Sequence, residues 1–136
     1  MAYPSTTKSS GGFTVLELIV TIVFLLAIGT VFLVQDRNMK MDSRDSQRKI
    51  AINSMYYNLE DVYYAANHAY PTAITTDGLP GIDPELLKDP NGITIGQQNA
   101  DYRYTPKDCV NGACKSYELR ANLEAEADFV KDSRNK

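Results

Sequence analysis

The amino-acid sequence predicts an α+β fold in which one long N-terminal helix packs on a small antiparallel sheet. Three observations lead to this fold class. An apolar run covers residues 13–34, and no Pro or Gly interrupts the chain from Thr30 to Ala69. Nearer the C-terminus, two segments of alternating apolar and polar residues flank Asn111-Gly112, a strong signal for a tight β-hairpin.

The apolar run is long enough to cross a membrane as a helix. Phe13–Val34 contains 22 residues, which would rise about 33 Å, and a bilayer core is about 30 Å thick. A cleaved secretory signal has a shorter apolar stretch of about 7–15 residues. A plain signal anchor explains the length but neither Gly12 nor Glu17. A buried core helix is excluded because the rest of the chain is too small to enclose it.

Glu17 is the only ionisable side chain between Lys8 and Asp36. Burying a carboxylate among apolar chains costs about 2–3 kcal/mol, and less near an interface. We therefore expect Glu17 to have a specific partner.

Residues 36–70 are predicted to continue the helix as an amphipathic half. The stretch from Asp36 to Lys49 is charged, and Pro71 disfavours a helical backbone at Tyr70, so we expect one helix from Phe13 to Ala69. One tyrosine of each neighbouring pair is expected in the core, and His68 is expected on the surface. The apolar stripe has heptad spacing and consists of Ile52, Tyr56, Leu59, Tyr63, Ala66 and Tyr70, widened by Met55 and Val62.

Residues 71–100 are rich in Pro, Gly and Asp and are predicted to form a loop region. Asp83 is expected to cap a short helix that begins at Pro84, with Ile82 and Leu87 packed around the cap. The segment Asp89-Pro90-Asn91-Gly92 is predicted to form a turn.

The hairpin is predicted in residue-by-residue register. With Asn111-Gly112 as the loop, Cys109 faces Cys114 with Cα atoms about 4.5 Å apart, within the range of a disulfide. A metal site would need more ligands and His68 is the only histidine, while a redox pair would favour Cys-x-x-Cys. The disulfide is therefore the preferred interpretation.

Other hairpin pairs follow from the same register. Tyr104 faces Leu119 and Tyr102 faces Ala121 on the apolar side; Asp108 faces Lys115; and Arg103 faces Arg120, an unfavourable pair that Glu118 or a bulge would relieve. Ile93 and Ile95 could supply a third strand. Phe129 is expected to anchor the chain end, and Lys131–Lys136 to fray.

Composition limits the functional classes. The net charge of −3 argues against a nucleic-acid-binding module, which would usually have a basic face. The sequence contains no Ser/His/Asp set, no phosphate-binding loop and no cluster of metal ligands, so we expect neither an enzyme nor a cofactor.

The segment Gly12-Phe13-Thr14-Val15-Leu16-Glu17, followed by the apolar run, resembles the N-terminal signature of type IV pilins and type II secretion pseudopilins. The resemblance implies that a prepilin peptidase cuts between Gly12 and Phe13 and that the new N-terminal Phe13 is methylated. It also implies that Glu17 of one subunit pairs with the Phe13 ammonium of the next. Two carboxylates, Asp89 and Asp101, could bind calcium as in some pseudopilins, although turn and strand-edge roles are the simpler interpretation.

Two features depart from the family pattern. The basic residue that commonly precedes the cleavage glycine is absent, since Gly11 takes that place and Lys8 lies four residues before Gly12. Basic residues also concentrate after the apolar run, which by the positive-inside rule would place the C-terminal half inside the cell. The interspersed aspartates and the cysteine pair favour the opposite orientation, with the C-terminal domain outside.

These inferences predict four segments. Residues 1–12 are a leader peptide, 13–35 a transmembrane and filament-core helix, 36–70 an amphipathic helix half, and 71–136 an extracytoplasmic loop and sheet region. The expected function is that of a pilin in a type IV pilus-like filament serving adhesion, twitching motility or DNA uptake. The alternatives are a pseudopilin of a type II secretion system and a non-polymerising membrane-anchored binding domain.

The expected partners follow from that function. They are identical or related subunits, the prepilin peptidase and an assembly platform in the membrane, whereas nucleic acid is not expected to bind the single subunit. The precursor would be a single-pass protein of the cytoplasmic membrane, and the assembled form a cell-surface filament.

Overall fold

The computed structural model describes residues 12–135, in which a long N-terminal helix is followed by loops and a three-stranded antiparallel sheet. Helix α1 spans Val15–Tyr57, a π-helical segment spans Asn58–Tyr63, and helix α2 spans Tyr64–Asn67. A 3-10 helix spans Pro84–Leu87, and strands β1, β2 and β3 span Tyr102–Val110, Ala113–Ala121 and Phe129–Asp132. The α+β prediction is confirmed, since the later part of the long helix, around Ala51 to Leu59, packs on the small sheet in a pilin-like arrangement.

The helix is interrupted by a π-helical segment that the sequence did not predict. Ile52, Met55 and Leu59 are buried as the heptad stripe requires. A π turn contains more residues than an α turn and therefore shifts the side chains that follow it. Accordingly Glu60 is buried, whereas Val62 is 44% exposed, contrary to the predicted stripe.

The helical region ends two residues earlier than predicted. His68 has a left-handed backbone with φ of 52°, and its N–H donates to the carbonyl of Tyr64 at 2.8 Å. His68 is exposed, as expected. Of the tyrosine pairs, Tyr56 is half-buried and Tyr57 exposed, but both rings of the second pair are half-buried.

The hairpin register is confirmed. Tyr102 pairs with Ala121, Tyr104 with Leu119 and Cys109 with Cys114. The side chains that share the inner face are buried, as the alternation predicted: Tyr102, Tyr117, Leu119 and Ala121.

Charged residues on the hairpin follow the prediction only in part. Arg103 does lie opposite Arg120, and Glu118 accepts from Arg120 Nη2 at 3.0 Å without a shift of register. The expected pair of Asp108 and Lys115 is wrong, because Asp108 adopts a left-handed φ of 53° and the ladder skips this position.

The third strand comes from the C-terminal segment and not from Ile93 and Ile95. β3 pairs with β2, with Ala121 opposite Phe129 and Leu119 opposite Lys131. Ile95 is instead a buried core residue whose N–H donates to the carbonyl of Leu87 at 2.8 Å.

The expected fraying of Lys131–Lys136 is also wrong for residues 131–135, while Lys136 lies outside the described residues. Ser133 is buried, and its N–H donates to the carbonyl of Tyr117 at 3.1 Å. The free edge of β2 supplies the hydrogen-bonding groups that order this segment.

The loop region contains the predicted cap and turn. Asp83 Oδ1 accepts from the N–H of Glu85 at 3.0 Å, with Pro84 at the first position of the 3-10 helix. In the following turn, the N–H of Gly92 donates to the carbonyl of Asp89 at 2.8 Å, and Gly92 has the positive φ of 82° that favours glycine.

Candidate functional site

The proposed processing site lies in exposed, non-helical backbone. Residues 12–14 precede the helix, and Phe13 is 81% exposed. A Cβ added at Gly12 would meet no atom within 4 Å, so no steric contact in the described structure requires glycine there.

Thr14 caps the helix that carries Glu17. The N–H of Glu17 donates to Thr14 Oγ1 at 3.3 Å, and the N–H of Leu18 donates to the Thr14 carbonyl at 3.1 Å. The pattern Thr14-x-x-Glu17 is the sequence signature of a capping box, so the sequence does carry a signal for this helix start. The cap places Glu17 in the first helical turn, where the partial positive charge of the helix end favours an acid.

Glu17 is exposed and no cation pairs with its carboxylate within residues 12–135. The Glu17 backbone carbonyl accepts from Thr21 Oγ1 at 2.7 Å, and this contact does not involve the Glu17 carboxylate. The carboxylate is therefore open to a partner from another molecule.

The helix around Glu17 presents apolar side chains on every side. From Phe13 to Val34 the large hydrophobic residues are between 49% and 81% exposed. The helical region Val15–Asn67 contains a stretch with a mean hydropathy of 2.6, long and apolar enough to cross a membrane. Length and composition alone are compatible with single-pass anchoring.

The predicted disulfide forms between Cys109 and Cys114, whose Cα atoms are 3.9 Å apart. Cys114 is buried and exchanges two backbone hydrogen bonds of 2.9 Å with Tyr70. The covalent link thus closes the hairpin where its tip is held against the chain that leaves the helix.

The two candidate calcium ligands have protein partners. Asp89 Oδ1 accepts from the N–H groups of Asn91 and Ile93 at 2.9 Å each, and its Oδ2 accepts from the N–H of Asp101 at 3.0 Å. Asp101 Oδ2 in turn accepts from Arg48 Nη2 at 2.8 Å. In the described part of the chain, no group of three or more His, Cys, Asp or Glu is arranged to hold a metal ion. These contacts give both aspartates turn and strand-edge roles.

A buried ion-pair cluster that the sequence did not predict joins α1 to the loops. Arg48 is 3% exposed and contacts Asp45 Oδ1 at 2.7 Å, Asp101 Oδ2 at 2.8 Å and Glu124 Oε1 at 2.8 Å. Asp45 also accepts from the N–H groups of Glu124 and of the next residue, at 2.8–3.0 Å. Hydrogen bonds from Arg44 and then Arg48 lower the pKa of Glu124 to about 2.

A second buried network centres on Glu60 in the π-helical segment. Glu60 accepts from the hydroxyls of Tyr70 and Tyr117 at 2.9 and 2.8 Å and from the N–H of Arg134 at 3.2 Å. Burial raises the pKa of Tyr70 to about 12, and burial followed by the Glu60 hydrogen bond raises the pKa of Tyr117. The hydrogen bonds tie the helix, the sheet and the C-terminal segment to one carboxylate.

Comparisons with protein-family models, with curated proteins and with solved structures found no match. The resemblance to pilins and pseudopilins therefore rests on residues 12–34 and on the layout of the fold.

Proposed function

We propose that the chain is the structural subunit of a type IV pilus-like filament. In this proposal it is cleaved between Gly12 and Phe13 and polymerises through the apolar helix segment 13–34. The observation that carries the proposal is Glu17, a carboxylate without an ion-pair partner within residues 12–135, in the first turn of a helix whose large apolar side chains are all exposed as far as Val34.

Cleavage would create the missing partner of Glu17. A cut after Gly12 leaves an ammonium on Phe13, and Glu17 of one subunit can lie against that ammonium in the next. Two unit charges about 4 Å apart attract by about 4 kcal/mol at an effective dielectric of 20. This attraction offsets the cost of about 2–3 kcal/mol for placing the carboxylate among apolar chains. Because an unpaired charge is costly there, the pair also selects one register between subunits.

The exposed apolar surface supports polymerisation after membrane anchoring. A helix with apolar side chains on every side is stable in a bilayer or in the centre of a bundle of copies. The Cys109–Cys114 disulfide supports an oxidising compartment for the C-terminal domain, since disulfides are rare in the cytosol. Together these features support insertion of the precursor in the membrane with the sheet outside.

Processing is tested by Gly12→Val. We expect this variant to remain uncleaved in cells that contain a prepilin peptidase, whereas the wild-type product begins at an N-methylated Phe13. Gly29→Val is the matched control, because a Cβ at Gly29 also meets no atom within 4 Å. The measurement is the intact mass and N-terminal sequence of the purified product. A Gly12→Val product that begins at Phe13 would refute the proposed cut.

Polymerisation is tested by Glu17→Ala, with Thr30→Val as a control for a polar change elsewhere on the same helix. We expect Glu17→Ala to reach the membrane and be processed but to form no filaments under the electron microscope. Normal filaments from this variant would contradict the charge pairing. A processed wild-type chain that forms no filament would favour the non-polymerising anchored domain, and filaments confined to the cell envelope would favour a secretion pseudopilin.

A further inference from the structure

A groove runs between the π-helical segment and the loop before the 3-10 helix. Its volume is about 480 Å³. Its walls are apolar and its rim is acidic, and the residues that matter for the argument are Tyr57, Asn58, Asp61, Val62, Ile82 and Asp83. None of the residues that line the groove is a cation.

Asn58 contributes an acceptor that the described residues do not satisfy. Its Nδ2 donates to the carbonyl of Pro80 at 2.7 Å, which fixes the orientation of the amide. The Oδ1 atom is buried and has no hydrogen-bond partner within residues 12–135. Buried polar atoms in native proteins are nearly always hydrogen-bonded, so this oxygen calls for a donor from outside the described chain.

The acidic rim also has unused acceptors. Asp61 Oδ1 accepts from Arg134 Nη1 at 2.6 Å, and Asp83 Oδ1 accepts from the N–H of Glu85 at 3.0 Å. Within the described residues, the second oxygen of each carboxylate has no donor. A ligand that combines several N–H donors, a positive charge and an apolar stem would fit these walls, and this combination describes an arginine or lysine side chain.

The chain itself carries such a side chain on the exposed first part of helix α1, residues 15–40. Every residue from 12 to 40 is exposed, and Arg37 has no carboxylate partner in the described part of the chain. Leu33 and Val34 lie one turn before Arg37 and are 65% and 58% exposed. Arg37 therefore has apolar residues on the preceding turn, as the acidic rim has Tyr57 and Val62 beside it.

We propose that this groove is the docking site for Arg37 of a second copy of the chain. The guanidinium would donate to the second carboxylate oxygens of Asp61 and Asp83, while its apolar neighbours cover Tyr57 and Val62. This contact depends on the proposed function, because polymerisation through residues 13–34 brings the exposed first part of helix α1 of one copy alongside another copy. It would add a specific polar contact between subunits outside the apolar filament core.

Cross-linking between two tagged copies tests the contact. One copy carries Val34→Cys, which keeps Arg37 in place, and the other carries Val62→Cys; filaments assembled from both are treated with a short bis-maleimide. The native cysteines do not react because both are in the disulfide. The control replaces Val34→Cys by Arg103→Cys, a substitution at an exposed arginine on the outer face of the sheet. We expect at least about tenfold more cross-linked hetero-dimer from the first pair than from the control pair.

Charge removal gives a second readout. Asp83→Asn removes the rim charge but keeps a side chain that caps the 3-10 helix equally well. We expect Arg37→Gln and Asp83→Asn each to lower filament yield several-fold, and the double variant to be no worse than either single one, since both remove the same contact. Asp77→Asn, an exposed loop acid outside the groove, is the control and should leave the yield unchanged.

The two proposals fail in different ways. Filaments that form normally while the Val34→Cys and Val62→Cys pair cross-links no better than the control would overturn the docking site and leave the proposed filament standing. Additive losses in the double variant would also overturn it. A wild-type chain that forms no filaments would refute the proposed function and the docking site together.

Discussion

Arg48 is the most informative single residue to replace, because it holds three carboxylates from separate parts of the chain. Its guanidinium is 3% exposed and contacts Asp45, Asp101 and Glu124 at 2.7–2.8 Å. Arg48→Met keeps most of the aliphatic stem and removes the charge. Removing one partner of a buried ion pair typically costs about 3–5 kcal/mol, since the remaining charge is left uncompensated.

The structure places the expected loss near the lower end of that range. Asp45 is also 3% exposed and would keep two backbone N–H donors after the substitution. Glu124 and Asp101 are 31% and 21% exposed and can be solvated. We therefore expect Arg48→Met to lower the free energy of unfolding of the sheet-containing part by about 3 kcal/mol.

Tyrosine circular dichroism in the near ultraviolet is the suitable assay. The full chain is kept in detergent micelles and unfolded with urea. The sequence has no Trp, and every tyrosine except Tyr3 lies at or after Tyr56, so this signal reports the tertiary structure around the sheet and not the apolar helix. Arg103→Met is the control, because Arg103 is exposed on the sheet and such substitutions change stability by less than about 0.5 kcal/mol. A loss below about 1 kcal/mol for Arg48→Met, with a cooperative transition, would show that the cluster does not anchor the helix.

Two further predictions concern the pH dependence of stability that Glu124 causes and the hydrogen bonds of the buried Glu60. Because the pKa of Glu124 falls from 4.5 to about 2 on folding, its stabilisation is present above about pH 4.5 and is lost as the pH falls towards 2. The difference in Tm between wild type and Glu124→Gln should therefore be largest near neutral pH and vanish near pH 2, and a difference independent of pH would contradict the assignment. Glu60→Ala should cost about 2–4 kcal/mol in urea unfolding, because it leaves the buried hydroxyls of Tyr70 and Tyr117 without their acceptor. Asp61→Ala, on the exposed side of the same turn, is its control, and an equal loss in both variants would argue against the network.

Local signals explain why much of the hairpin could be predicted. Asn-Gly favours a two-residue turn, and the period of two along a strand then fixes every cross-strand pair. The register from Tyr102 to Val110, the disulfide and the burial of Tyr117 follow from these two facts. Asp108 breaks the pattern through its own left-handed backbone, which no pairing rule anticipates.

Long-range contacts explain what the sequence could not show. Ile93-x-Ile95 has the alternation of a strand, but the free edge of β2 is occupied by Phe129–Asp132, which is held by contacts of Ser133 with Tyr117. The choice between two short apolar segments depends on which one reaches the sheet edge in three dimensions. The sequence offers no local measure of that distance.

The proposed processing segment can be recognised from the sequence without a structure, because its features are contiguous: Gly12, Phe13, and an apolar run of 22 residues in which Glu17 is the only charged side chain. The tertiary structure alone decided the π-helical segment, the buried cluster around Arg48 and the groove beside Asn58. These features join residues that lie far apart in the chain, such as Asp45 and Glu124 or Glu60 and Tyr117. A charge is stable in the core only where such partners meet, and that depends on packing and not on the order of residues.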